Sequence, residues 1–315
     1  MVEVPPVRVN TVATLGLFNA DATFHAPRLP ILGETIMGSH FALGPGGKGS
    51  NQAVAAARAG ASVNFITRLG DDGFAAMARA LWAEAGIHAH VTVDPQSHTG
   101  SAFIFVQEGT GQNSIIVAPG AGVRMGPSDL QAVRQVIEAA SVFLVQLEQP
   151  MEAALEGLRI ARAAGVTTIL NPAPAAALSD AMLALCDYIT PNETEAKTLT
   201  GIDVTDRATA ESAADALIAR GVGAVVVTLG AQGVLYRKGG RSLHVPARAP
   251  AAVNDTTGAG DAFNGGFACA LAEGQTIGDA LRFGVAVAGI SVTRPGAAAS
   301  MPWRAEVLTF LAGAC

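Results

Sequence analysis

The chain has 315 residues, half of them apolar and 15% charged, which excludes intrinsic disorder and supplies a sizeable core. Lys and Arg total 20 against 26 Asp and Glu. The net charge of −6 argues against a general nucleic-acid or anionic-membrane binder, but a small anionic ligand can still be held locally by backbone N–H groups. The longest stretch free of Asp, Glu, Lys and Arg, Ala163 to Ser179, is interrupted by Pro172 and Pro174. It falls short of the roughly 20 apolar residues of a membrane span. Met1 to Pro6 shows no basic segment followed by an apolar one, so no secretory signal is read there. Cys186, Cys269 and Cys315 are scattered and odd in number. They are read as reduced thiols, and the protein is expected in the cytoplasm.

Short β-branched runs alternate with Ala-rich helical stretches. A strand is expected over Val7 to Leu15, then extended chain over Ala20 to Leu43 and a helix from Ser50 to Ala59. A strand from Ser62 to Arg68 and a helix from Gly73 to Ala85 lead to a second extended region, Ile87 to Val117. Next come a strand (Val142 to Leu147), a helix (Pro150 to Ala164) and two strands (Val166 to Leu170, Tyr188 to Thr190). Helices follow at Glu193 to Leu199 and Thr209 to Gly221, then a strand from Ala224 to Leu229. The last third reads as helical: Gly258 to Glu273, Gly278 to Thr293 and Trp303 to Leu311.

This rhythm predicts βαβ units in a single α/β domain over 1–315, with a doubly wound, mostly parallel sheet flanked by helices. Ligands then belong at the C-terminal ends of the strands. The two extended regions, about 20–43 and 87–117, interrupt the rhythm. Phe41, Val91, Val93, Phe103, Phe105, Ile115 and Val117 alternate partially with period two. They are read as a small inserted sheet that could act as a lid, with two surface hairpins as the alternative. His88 and His90 would be solvent-facing lid residues, and none of the six histidines has a trustworthy metal-ligand spacing.

Two glycine-rich segments precede helices. Gly44-Pro45-Gly46-Gly47-Lys48-Gly49-Ser50-Asn51 formally fits G-x-G-x-x-G, but it does not follow the first strand as a dinucleotide fingerprint should. It is not a Walker A loop either, since Lys48 is followed by Gly49. It remains a loop that a sugar hydroxyl or a phosphate can approach closely, or a plain glycine-rich turn. In Asn254-Asp255-Thr256-Thr257-Gly258-Ala259-Gly260-Asp261, unpaired N–H groups at a helix start can face an oxyanion, with a carboxylate beside them. That pairing suits in-line phosphoryl transfer to a hydroxyl, with Asp261 as the base. The alternative is that Asp261 only caps a helix.

The sequence resembles the ribokinase-like family of sugar kinases. The resemblance rests on Asp255-Thr256 with Gly258-Ala259-Gly260-Asp261, and on Gly44 to Asn51 with Gln52-Ala53. Further blocks support it: Asn19-Ala20-Asp21, Gly33-Glu34-Thr35, Gln146-Leu147-Glu148, Asn171-Pro172-Ala173-Pro174, Thr190 to Glu195 and Thr228-Leu229-Gly230. These blocks occur in the family's order from about Val9 to Trp303.

The resemblance implies that Asp261 is the catalytic base and that the N–H groups of Gly258, Ala259 and Gly260 form an anion hole. Asn19, Asp21, Gly46, Gly47, Lys48, Asn51 and Glu148, with Asp261, would contact the sugar, expected to be ribose. ATP would lie against Asn192, Thr228, Leu229, Gly230, Ala231, Gln232, Gly233 and Gly260. Glu195 would act indirectly on Mg²⁺. Asp255, Thr257, Ser291, Arg294, Gly296 and Ser300 would hold K⁺. Paired lids would make a homodimer. The chain departs from the family pattern at Leu17-Phe18 and Ile31-Leu32, near the expected mouth of the sugar pocket, and at Val285, near the expected adenine. Besides a ribose kinase, the alternatives are a kinase for another sugar or a nucleoside, and an idle sugar-binding protein. Retention of Asp261 beside the glycines disfavours the last.

Overall fold

A computed structural model describes residues 10–248 and 252–313. In chain order the strands are β1 (Thr11–Leu15), β2 (Asn19–Ala26), β3 (His40–Gly46), β4 (Ser62–Leu69), β5 (His88–Val93), β6 (Ser101–Gln107), β7 (Asn113–Ala118), β8 (Val142–Val145), β9 (Thr167–Leu170), β10 (Tyr188–Ile189), β11 (Ala224–Thr228), β12 (Val234–Lys238) and β13 (Arg241–Val245). One large sheet has the order β13-β12-β11-β10-β9-β8-β1-β4-β5. It is parallel from β11 to β5 and antiparallel only at the β11–β12–β13 end. The small sheet has the order β3-β2-β6-β7.

Burial explains the sequence pattern of the central strands. The large sheet separates two apolar clusters, and alternate side chains of one strand enter opposite clusters. Val226 belongs to the cluster that contains helices Lys48–Arg58, Ala259–Ala272 and Ile277–Ser291. Val225 and Val227 belong to the one containing helices Met151–Ala163 and Arg207–Ala219. All three valines are fully buried. Burial of each such side chain stabilises by about 1.5–3 kcal/mol, so this strand reads as a continuous apolar run. The doubly wound α/β expectation therefore holds.

The topology also selects the functional edge. From β1 the chain runs outward to β4 and β5, then returns beside β1 as β8 and proceeds the other way through β9, β10 and β11. The order reverses between β1 and β8, and in open α/β sheets ligands bind at such a reversal, outside the C-terminal strand ends. The small sheet is inserted at that end, through the segments that follow β1 and β5.

Several sequence expectations need correction. The segment His88–Val93 is not in the small sheet: β5 pairs in parallel with β4 and forms an edge of the large sheet. Val91 and Val93 alternate because they belong to that edge, and the second lid insertion begins at Ser101 rather than near 87. His88 and His90 are likewise edge residues of the large sheet, where the His90 ring contacts Asn64 Oδ1 at 3.0 Å. The β12–β13 hairpin is absent from the sequence reading. Its signal was Lys238-Gly239-Gly240-Arg241: both glycines have positive φ, 54° and 77°, as a tight two-residue turn demands. The first strand starts at Thr11, and the expected positions Val7 to Val9 lie outside the described residues, as does Cys315. Cys186 and Cys269 are buried free thiols. No described helix is long and apolar enough to cross a membrane.

Candidate active site

The strand ends at the reversal point carry most of the candidate residues. After β1 the chain turns directly into β2, where Asn19 and Asp21 lie two residues apart and so share a face. β3 is antiparallel to β2, with Asn19 opposite Gly46 and Asp21 opposite Gly44. The chain leaves β3 at Gly46 and enters helix Lys48–Arg58 through Gly47. Asn19, Asp21, Gly46, Gly47, Lys48 and Asn51 are thereby brought to one place. Glu148 follows β8 and accepts a 2.8 Å hydrogen bond from the Lys48 backbone N–H. Buried Asn19 Oδ1 and Asn51 Oδ1 have no hydrogen-bond partner among the described residues. Such orphaned acceptors are costly unless a ligand or water supplies donors.

Helix Ala259–Ala272 begins at Gly258, whose φ of 75° only glycine adopts without strain. Asp261 is in the first turn and buried. Its Oδ2 accepts from Asn51 Nδ2 at 3.0 Å and its Oδ1 from Gln52 Nε2 at 2.9 Å. Asp261 is therefore held from another helix and does not serve as the N-cap side chain, a position that Gly258 occupies. The anion-hole expectation is partly altered. The Ala259 N–H already donates to Thr256 O at 3.1 Å. Those of Gly258, Gly260 and Asp261 have no protein acceptor among the described residues. Gly260 is exposed, so an anion can approach.

The carboxylates respond to this crowding. Burial pushes Asp261 above the usual carboxylate range, against the opposing pull of the Lys48 charge and the Asn51 and Gln52 hydrogen bonds. Burial raises Glu148 to about 7; the Lys48 charge resists this, while the charge of Asp261 adds to it. Burial raises Asp21 to about 6. Lys48 makes no salt bridge among the described residues, yet its charge acts on Glu148, Asp261 and Glu195 together.

Further along the sheet, Asn192 follows β10 and Thr228 ends β11, and the two form a bridge. Asn192 caps helix Glu193–Thr200 by a reciprocal exchange with Glu195. Glu195 N donates to Asn192 Oδ1 at 2.8 Å, and the Glu195 carboxylate accepts from Asn192 N (2.9 Å) and Nδ2 (3.1 Å). Burial nevertheless raises Glu195. Gly230–Gln232 form an exposed single turn, while Leu229 is buried in the core and presents only its backbone. Gly233 is packed tightly against the chain leaving β13, where an added Cβ would lie 2.1 Å from Val245 O.

Asp255 joins two loops: it accepts from Thr257 N–H at 2.9 Å and from Gly296 N–H at 2.8 Å. Burial opposes ionisation of Asp255, but the Thr257 side chain together with these backbone donors holds its pKa below the ordinary value. The Ser300 and Ser291 hydroxyls each donate to a nearby carbonyl, and both keep lone pairs free. The Arg294 guanidinium pairs with Glu306, so only its carbonyl can face a cation. Leu17, Phe18 and Val285 are buried in the core, whereas Ile31 and Leu32 are exposed.

Residues 9–304 match the family described as pfkB family carbohydrate kinase, and the chain belongs to that family. It is 43% identical to a ribokinase of Haemophilus influenzae, over 96% of this chain and 98% of the relative. A deoxyribokinase of Salmonella typhimurium is 35% identical over 92% and 95%. The structure of Arabidopsis thaliana ribokinase complexed with ribose and ATP superposes with a TM-score of 0.91 at 32% identity, covering 97% of this chain and 99% of that one.

Proposed function

We propose that the chain is an ATP-dependent ribokinase, which transfers the γ-phosphoryl group of ATP to the 5-hydroxyl of D-ribose. The observation that carries this reading is the buried Asp261 beside the free N–H groups of Gly258, Gly260 and its own backbone. The similarity to ribokinases over nearly their full length supports it, as does the likeness to the Arabidopsis thaliana ribokinase complexed with ribose and ATP.

In this reading Asn19, Asp21 and Asn51 hold the sugar, with Gly46, Gly47, Lys48 and Glu148 beside them. Asn192, Thr228 and the Gly230–Gly233 turn receive the nucleotide. Asp261 accepts the proton of the 5-hydroxyl as its oxygen attacks the γ-phosphorus. The bond from that phosphorus to the β–γ bridging oxygen breaks, and ADP leaves. The proton passes from Asp261 to solvent after release. The free N–H groups face the charge on the transferring phosphoryl oxygens, where fixed donors lower the barrier most.

The residues fit both expected ions, in different ways. The Glu195 oxygens are both engaged by Asn192, so Glu195 suits Mg²⁺ through water rather than as a direct ligand. Asp255, the carbonyls around Thr257, Ser291, Arg294 and Gly296, and the Ser300 hydroxyl would supply oxygens with a single charge, a chemistry suited to K⁺. When bound, Mg²⁺ would neutralise phosphate charge and K⁺ would hold the Asp255 loop beside the anion hole. The exposure of Phe41, Ile115, Ile116 and Val117, each more than half exposed on one copy, supports a homodimer through the small sheets. A monomeric mass at every concentration would contradict it.

The deciding assay is a coupled ADP-release screen over D-ribose, 2-deoxyribose, hexoses and nucleosides. Preference for D-ribose is expected. Preference for 2-deoxyribose or a nucleoside would move the assignment within the family, and sugar binding without ADP release would make the protein an idle binder.

A further inference from the structure

Asp261 and the Gly260 peptide beside it are tied together by a ring of buried amides and a hydroxyl that crosses four elements. Gln52 Nε2 donates both to Asp261 Oδ1 at 2.9 Å and to Asn171 Oδ1 at 3.0 Å. Asn171 Nδ2 donates to Thr190 O at 3.1 Å. Thr190 Oγ1 donates to Asn264 Oδ1 at 2.7 Å, and Asn264 Nδ2 donates to Gly260 O at 2.8 Å. The chain of bonds thus leaves the carboxylate and returns to the neighbouring peptide. Gln52 and Asn264 are at most 1% exposed.

Each bond fixes the direction of the next. The Thr190 hydroxyl donates to Asn264 Oδ1, so the Asn264 amide group must turn its NH₂ toward Gly260. Gln146 Nε2 donates to Gln52 Oε1, so the Gln52 NH₂ must face Asp261. Apolar residues would fill this interior without the cost of burying amides. What the amides add is orientation: they fix where the carboxylate points and where the Gly258–Gly260 turn lies relative to it. Gln52 occupies the junction, because its side chain hydrogen-bonds to Asp261, Asn171 and Gln146.

We propose that Gln52 is a positioning residue for phosphoryl transfer, which holds the Asp261 carboxylate in the orientation, and in the ionised state, that proton abstraction requires. This rests on Asp261 being the base. Other groups also face Asp261. Lys48 and Asn51 come from the same helix as Gln52, Glu148 follows β8, and Glu195 lies on helix Glu193–Thr200, while Asp21 acts on Glu148 from β2. Loss of the Gln52 donor leaves all of these in place.

The test uses the full-length chain with Gln52→Met, which removes the donor at similar length, and Gln52→Glu. The latter keeps an acceptor for Gln146 and sets a second carboxylate against Asp261; being isosteric, it also serves where Gln52→Met does not fold. Thermal unfolding checks each variant. The expected result is a kcat about 10- to 100-fold lower, with the sugar KM changed by less than about threefold. The acid limb of the kcat profile should move up by about one pH unit, and further for Gln52→Glu. Repeating the profile in a Glu148→Gln background assigns that limb to Asp261 rather than to Glu148. A folded variant with unchanged kcat and acid limb overturns the proposal, as does a kcat loss that only tracks the unfolded fraction. Near-normal turnover by Asp261→Asn in the unmodified chain would instead remove the reading beneath it.

Discussion

Gly46 provides a sharp test of how the sugar side is built. Asp21 and Gly46 are diagonal neighbours across the β2–β3 ladder, and the Asp21 carboxylate lies over the Gly46 backbone. A Cβ added at Gly46 would stand 2.0 Å from Asp21 Oδ2, 2.4 Å from its Cγ and 2.7 Å from its Oδ1. Non-bonded heavy atoms settle near 3.5–4.0 Å, so Gly46→Ala forces the carboxylate to rotate away by more than about 1 Å. If Asp21 accepts from two sugar hydroxyls, each charged hydrogen bond lost costs roughly 1.5–3 kcal/mol. The two together amount to about 3–6 kcal/mol, or roughly 10²- to 10⁴-fold in kcat/KM. The assay is kcat/KM for D-ribose and 2-deoxyribose in the unmodified protein, Gly46→Ala, Asp21→Ala and the double variant. The sugar without its 2-hydroxyl should lose less. In the Asp21→Ala background, where the three nearest atoms are gone, Gly46→Ala should cost less than about threefold. A folded Gly46→Ala protein within threefold of normal, or one whose full loss persists without Asp21, would refute the reasoning.

Asp261→Asn should retain sugar binding while kcat falls about 10²- to 10⁴-fold, as measured by calorimetry and steady-state ADP release. Hydroxyl donors favour the charged forms of Asp21, raised to about 6, and Glu148, raised to about 7. Sugar binding should therefore release protons near pH 6.5, and affinity should rise with pH through that region. Calorimetry in buffers of different protonation enthalpy reads this, and proton uptake would contradict it. Without sugar, the same raised groups keep protons that the unfolded chain has already released. Their contribution to stability should fall as pH rises from about 4 to 7, which thermal melts across that range would show. K⁺ should raise the rate over a bulky organic cation at equal ionic strength, and Asp255→Ala should abolish the difference; equal rates in the two salts would count against the Asp255 site.

Much of this was legible in the sequence for identifiable reasons. Strands buried on both faces are continuous apolar runs, as in Ala224 to Val227, so the parallel sheet could be read directly. The candidate site residues came from the family resemblance, and strand ends supported three of them independently: Asn19 and Asp21 after β1 and Glu148 after β8. The lid boundary was misread because edge strand β5 has the same half-apolar alternation as an inserted strand; periodicity reports burial on one face, not which sheet supplies it. The buried amide ring had only a faint trace. Gln52 interrupts an Ala-rich helix, and Asn264 lies three residues after Asp261, on the same helix face. That their partners would be Asn171 and Thr190, each more than 70 positions away, depends on the order of β9 and β10 in the sheet. No local pattern carries that information.

The most direct test of the central claim is ³¹P NMR of the product formed from ATP and D-ribose. The account predicts one sugar phosphate, ribose 5-phosphate, formed in equal amount with ADP. Phosphate on another hydroxyl, or ADP accompanied only by inorganic phosphate, would contradict it.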